Sequence, residues 1–377
     1  MGEARAFESA LNLAPASGDD GQNASPDDRV LGVFQDTIIS TLHFRELKAE
    51  SERRMAVKNG LRIIDVEIFS QCNRRCHYCS NSVLDRLSTN NFMDVDVYRG
   101  IVADLATVDW DGQFRFIGLN EPTMHREFLV ARVREARAAI PRAALTVFSN
   151  GDYLTRDYLD ELYDAGARVM YISVHLQRFM PFDDRKVIKR IGMLSRKLGL
   201  DFRIDTHVPG VSVVGAIPYR DMMIQIFQHD YEKIGHDRGG ILDGIGRQDY
   251  ERTSACTVPI QMMVISYNGN VLPCCHFVGD AEQHKGLVVG KLGGGRSLFD
   301  VYASPEYLSW RRDLFAIGPK GKECRKCVDY ADFSAMQDSK WIAIADRRQD
   351  GLARPPSVRV AGGNDAGAPV EGMLRID

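Results

Sequence analysis

Residues 61–81, LRIIDVEIFSQCNRRCHYCSN, decide how the rest of the chain is read. The first part alternates, with Ile64, Val66 and Ile68 on one side and Asp65 and Glu67 on the other. That is the pattern of a strand whose two faces meet different surroundings. A loop follows at once and places Cys72, Cys76 and Cys79 within eight positions. Disulfides use thiols in pairs, and a structural zinc site closes with four ligands, commonly from paired C-x2-C hooks. Three thiolates on one loop close a zinc site only if His77 or a distant residue joins them. A histidine between two ligand cysteines would point its ring elsewhere. A [4Fe–4S] cubane has four irons and usually four cysteines, so three cysteines leave one iron open to a ligand from outside the chain.

Outward from this loop, strand and helix patterns alternate. A helix is expected over about 94–106, then strand QFRFIGL (113–119) and helix REFLVARVREARAAI (126–140). Strand ALTVFS (144–149) precedes helix TRDYLDELYDAG (155–166), with Thr155 as N-cap and Gly166 as stop. Strand RVMYISVHL (168–176) leads to a helix over 183–199, whose Ile188, Ile191, Leu194 and Leu198 keep helical spacing. Strand DFRIDTHV (201–208) and a less distinct apolar segment at 222–227 complete the series. Alternation of this kind implies an α/β fold with a parallel sheet. Five or six units are too few for a closed eight-fold barrel, so a partial (β/α)6 TIM-like barrel is expected. Its chemistry belongs at the carboxyl ends of the strands.

The flanks read differently. Residues 1–28 are expected to be a disordered tail, and 29–60 a helical segment. The barrel occupies 61–250 and a small α+β cluster-binding domain 251–335, with a helix and disordered tail over 336–377. In the second domain, MMVISYNGNVLPCC reads as a hairpin around Asn268-Gly269. Cys256 and Cys274 stand in a C-x12-G-x4-C arrangement, and Cys324-x2-Cys327 follows about fifty residues later. Taken alone, these four thiols also suit a structural zinc site.

The 377 residues are 44% hydrophobic and 26% charged with a net charge of −3, which gives no general attraction for nucleic acid. No apolar run reaches the roughly 18 residues of a membrane span. The N-terminus is acidic and lacks the basic start and apolar centre of a secretory signal. All eight cysteines are clustered, which favours metal or redox work in a reducing cytoplasm over disulfides.

C-x3-C-x2-C after a first strand, with Tyr78 before the last cysteine, resembles the radical S-adenosylmethionine (SAM) superfamily. The resemblance implies that the amine and carboxylate of SAM chelate the open iron. One electron then releases a 5′-deoxyadenosyl radical that abstracts a substrate hydrogen, the cofactor carrying the hard step. FIGLNEPTMHREF (116–128) resembles the family's G-x-G-E-P motif through Gly118, Glu121 and Pro122, with Asn120 in place of the second glycine. SNG (149–151) resembles its T-N-G signature, making Ser149 and Asn150 cofactor contacts, and Ser173 matches a fourth-strand contact. Cys256, Cys274, Cys324 and Cys327 resemble a SPASM/twitch extension in its shorter form, with one fully ligated auxiliary [4Fe–4S] cluster. An external one-electron donor such as flavodoxin or ferredoxin is implied.

Cys275 is left over. It is either a small buried filler or a thiol that returns a hydrogen atom to a substrate radical. As the neighbour of a ligand on a strand, it is expected to point to the opposite face. His175, Asp205 and His207 are candidates for binding a polar small molecule or taking its proton. Three readings follow: dehydrogenation of a secondary alcohol in a sugar, cyclitol or aminoglycoside-like metabolite; epimerisation using Cys275; and maturation of a peptide.

Overall fold

The computed structural model describes residues 30–34, 37–246 and 249–328. The tails expected at 1–28 and 336–377 lie outside the described residues. Residues 30–34 and 37–40 are not helical: β1 (Val30–Phe34) and β2 (Thr37–Ser40) pair antiparallel. Val30, Val33, Thr37, Ile38 and Ile39 are β-branched, and that local preference prevails. The helix of this region, α1 (Glu50–Gly60), occupies the charged half, with Glu50 and Glu52 in its first turn. Negative charge there complements the helix dipole.

Four βα units follow. They are β3 (Ile63–Val66) with α2 (Val95–Ala106), β4 (Gln113–Phe116) with α3 (Arg126–Ala139), β5 (Ala144–Ser149) with α4 (Arg156–Ala165), and β6 (Val169–Ser173) with α5 (Asp184–Leu198). α4 begins as expected, with the Thr155 hydroxyl accepting the Tyr158 N–H at 3.3 Å, and ends at Gly166 with φ +112°. Beyond α5 come β7 (Arg203–Val208), β8 (Ser212–Ala216) and β9 (Met223–His229). The C-terminal segment adds β10 (Met262–Ile265), β11 (Asn270–Leu272) and β12 (Gly290–Lys291).

The ten strands form one sheet in the order β12-β11-β10-β3-β4-β5-β6-β9-β8-β7. The central six run parallel, and hairpins extend both sides. The sheet's end strands do not meet, so the barrel is open. Two positions differ from the sequence reading. DFRIDTHV is not the fifth parallel strand; it forms β7 at the antiparallel edge, and β9 takes the inner place. A central parallel strand must bury both faces. β7 exposes Arg203, Asp205 and His207 more than their neighbours, while Ile224 and Ile226 of β9 are buried. The second difference is that β10 pairs in parallel with β3, Val264 opposite Asp65, so the C-terminal cysteines hang from the barrel's own sheet.

Ile64, Val66, Phe114, Phe116, Leu145 and Val147 join one core with the covering helices. Each such side chain contributes about 1.5–3 kcal/mol by leaving water. The opposite faces carry the polar residues. No helix among the described residues is long and apolar enough to cross a membrane.

Candidate active site

The first cysteine loop is fixed at several points. Cys72 is buried, its N–H donates to Arg86 O at 2.8 Å, and its sulfur accepts the Arg74 N–H at 3.4 Å. The Arg74 guanidinium donates to both Asp152 oxygens, from Nε at 2.7 Å and from a terminal nitrogen at 2.6 Å. Asn73 donates to the same carboxylate at 2.8 Å, and Asn150 donates to Asn73 Oδ1 at 2.8 Å. Burial favours neutral Asp152, but the Arg74 bonds and charge prevail and hold it below the usual carboxylate range. His77 points away from the thiols: its Nε2 lies 2.8 Å from Glu232, and its ring stacks on Phe179.

Burial pushes the Cys72 thiol up to about 12 and, with the neighbouring Cys79, the Cys76 thiol up to about 11. Thiols so placed become thiolates when a metal supplies compensating charge. The loop therefore fits a cluster bound through Cys72, Cys76 and Cys79. A second observation fits an outside ligand. Both polar atoms of the buried Asn120 amide find no partner among the described residues, which leaves them open to a cofactor.

The motif around Asn120 is a brace between strand ends. Glu121 accepts from Ser149 Oγ at 2.9 Å, Asn150 N at 2.6 Å, Thr123 N at 3.0 Å and Thr123 Oγ1 at 2.5 Å. Its carboxylate is thus spent inside the protein, tying β4 to β5. Its N–H donates to Gln71 O at 3.0 Å, which joins the motif to the cysteine loop. Pro122 starts the short 3-10 turn that Glu121 caps. Gly118 is required by space, since a Cβ there would stand 2.6 Å from both Cβ and Cγ of Glu67. Glu67 in turn accepts the Leu119 N–H at 2.9 Å.

Tyr78 leads from the loop toward the open centre. Its phenol, pushed up by burial, lies 2.8 Å from His175 Nδ1 and accepts from Gln228 Nε2 at 3.2 Å. Burial holds His175 down to about 3, so the ring is neutral and its Nδ1 serves Tyr78. The Tyr231 ring packs 4.6 Å from that of Tyr78, and the Ser173 and Tyr231 hydroxyls are 3.5 Å apart. Asp205 and His207 are not part of this group. On the edge strand β7, Asp205 pairs with Arg203 at 2.6 Å and His207 with Asp184 at 3.1 Å. That placement follows from the strand order, which takes β7 away from the centre.

The second cysteine group closes on one cavity, lined by Cys256, Cys274, Cys275, Cys324 and Cys327 together with Arg252 and His276. The expectation that Cys275 faces away from Cys274 fails. β11 ends at Leu272, and the two cysteines lie on a turn closed by the Phe277 N–H to Cys274 O. The donor atoms of Cys274, Cys275 and His276 all lie within 4.8 Å of one another. A cavity walled by this many sulfurs fits an iron–sulfur cluster bound through Cys256, Cys274, Cys324 and Cys327, with Cys275 beside them.

Residues 235–246 connect the two groups. Ile241, Leu242 and Ile245 form one apolar cluster with Val278 and Ala281, against which Tyr78 and Leu119 pack. On this segment Arg238 has φ +53° and reaches to 3.5 Å from His276 Nδ1. A non-glycine residue in that region is strained, and strain is concentrated at functional sites. His229, at the carboxyl end of β9, lies with its ring 5.7 Å from Tyr231 and its buried Nδ1 without a partner. Sequence reading missed His229, Tyr231, His276 and Arg252. Only His229 left a signal: the alternation of Met223, Gln225, Phe227 and His229 along one strand face.

Residues 66–197 match the radical SAM superfamily, and residues 256–328 match SPASM, an iron–sulfur cluster-binding domain. The chain is 28% identical over 267 residues to the S-adenosyl-L-methionine-dependent 2-deoxy-scyllo-inosamine dehydrogenase of Niallia circulans, covering 70% of this chain and 92% of that protein. A tungsten-containing aldehyde ferredoxin oxidoreductase cofactor-modifying protein of Pyrococcus furiosus is 31% identical over 114 residues, 30% of this chain and 31% of that one. Among solved structures, BtrN in complex with AdoMet and 2-DOIA gives a TM-score of 0.48 at 25% identity, covering 68% of this chain and 87% of that one. The chain belongs to the radical SAM superfamily and carries a C-terminal SPASM-type iron–sulfur domain.

Proposed function

We propose that this radical SAM enzyme dehydrogenates a secondary alcohol of a cyclitol or aminocyclitol, passing the second electron to the auxiliary cluster. One observation carries the reading: Cys256, Cys274, Cys324 and Cys327 wall a single cavity. A cluster with four protein thiolates keeps no iron for substrate and is suited to electron transfer. The 28% identity to 2-deoxy-scyllo-inosamine dehydrogenase across 92% of that protein supports an aminocyclitol as substrate class.

Held through Cys72, Cys76 and Cys79, a cluster with SAM would supply the one-electron chemistry for hydrogen abstraction, and a cluster held through Cys256, Cys274, Cys324 and Cys327 would supply an acceptor for one electron. The chain does the rest. Tyr78 and Tyr231 form an aromatic wall beside the first loop, and Arg238, near His276, is the group to hold the substrate oxygen. His229 takes the hydroxyl proton; burial holds it down to about 4, so it is neutral at pH 7 with Nδ1 open. The alcohol thereby loses one hydrogen atom, one proton and one electron to give a ketone. We assign the reaction to the cytoplasm, with a flavodoxin or ferredoxin as the source of the first electron.

Epimerisation is the second reading, because Cys275 is the one cysteine left outside the two proposed ligand sets. Its sulfur lies among the auxiliary ligands, which favours a role beside the cluster over one facing substrate. Anaerobic turnover of 2-deoxy-scyllo-inosamine in D2O separates the two. Dehydrogenation predicts a ketone lighter by two hydrogens and one 5′-deoxyadenosine per product. An inverted carbon bearing deuterium, lost in Cys275→Ala, would mean epimerisation and refute the proposal.

A further inference from the structure

Arg252 stands four residues before Cys256 and is 1% exposed. Its guanidinium is wrapped by two of the three chain segments that carry auxiliary cysteines. Nε donates to Ser254 O at 3.3 Å and one terminal nitrogen to Ala255 O at 2.8 Å. The other terminal nitrogen lies 3.5 Å from Cys327 O and 3.9 Å from Cys327 Sγ. The backbone closes the same contact, with the Arg252 N–H donating to Arg325 O at 2.7 Å. A permanent cation is thus fixed against the sulfur of one ligand, in the wall of the auxiliary cavity.

Burying a guanidinium costs free energy unless opposite charge compensates it. The carbonyl oxygens of Ser254, Ala255 and Cys327 carry no net charge, whereas thiolates holding a cluster do. A [4Fe–4S] cluster held by four thiolates is a net anion when oxidised, and one electron adds a further negative charge. A fixed cation at a ligand sulfur stabilises the reduced form more than the oxidised one. Charge and hydrogen bonds to the sulfurs are the usual levers on cluster potentials.

We propose that Arg252 sets the reduction potential of the auxiliary cluster, raising it so that the cluster accepts an electron from the substrate radical. In that step the radical, having lost its hydroxyl proton to a base, gives one electron to the oxidised cluster and becomes a ketone. The His276 N–H, 3.5 Å from Cys274 Sγ, acts in the same direction at a second corner. The inference rests on the auxiliary cluster being the electron acceptor, but its test needs no turnover.

The test is an EPR-monitored redox titration of the reconstituted holoenzyme, the auxiliary signal being the one absent from Cys256→Ala. In Arg252→Gln, which keeps hydrogen bonding without charge, the midpoint should fall by a tenfold change in the one-electron equilibrium or more, about 59 mV. Arg252→Lys, which keeps the charge, should restore most of that shift. A loaded Arg252→Gln protein with an unchanged midpoint overturns the proposal. Should Arg252→Gln not retain auxiliary iron, the wild-type protein labelled with guanidino-15N arginine decides the matter. Pulsed EPR of its reduced auxiliary cluster should show a 15N hyperfine coupling, and absence of that coupling overturns the proposal. If dehydrogenation fails while the potential shifts, only the reaction assignment falls.

Discussion

His229 and His175 are two imidazoles that folding keeps neutral, one with an open nitrogen and one serving Tyr78. Burial lowers them to about 4 and about 3 from an ordinary 6.5. The unfolded chain therefore binds their protons first as the solution is acidified. Their stability contribution is complete above pH 6.5 and is lost as pH falls toward 4. The melting temperature of the holoenzyme, followed anaerobically, should drop between pH 7.5 and pH 5, and His229→Gln should shrink that drop. An equal drop in the variant would place the pH dependence elsewhere. At this scale the cysteines were legible because thiol number and spacing state a coordination need directly. The roles of His229 and Arg252 were not, although alternation hinted at the face His229 takes, since a single histidine or arginine acquires its role from neighbours distant in sequence.

Between elements, the polar face of the sheet is less free than alternation suggests. Asp65 of β3 is opposite Arg115 of β4 and accepts two hydrogen bonds from it, at 2.5 and 2.9 Å. The pair is buried, and Arg115 also lies over the Phe148 ring. Asp65→Ala takes the carboxylate away from a buried guanidinium and should cost about 3–5 kcal/mol. Asp65→Ala/Arg115→Met removes both charges and should recover most of that loss in urea unfolding of the holoenzyme. A double variant as unstable as the single one would mean that shape, not charge, governs the position. The four βα units were legible because period-2 and period-3.6 patterns alternate cleanly there. The places of β7 and β10 were not, because strand order depends on which faces neighbouring elements leave uncovered.

Over the whole molecule, one open sheet carries both cysteine groups, and the segment 235–246 packs against each of them. The hairpin around Asn268-Gly269 was readable from its turn residues, and Gly269 has φ +81°. What no local pattern disclosed is that this hairpin continues the barrel sheet beside β3. Shared support of that kind holds the two sites in fixed relation, as the proposed passage of an electron from a substrate radical formed at the first to a cluster at the second requires. Iron analysis after anaerobic reconstitution tests this two-cluster account most directly. Two clusters give about eight irons per chain, and about four in Cys256→Ala with the SAM-binding cluster retained. A wild-type value near four, or a Cys256→Ala protein with undiminished iron, would contradict it.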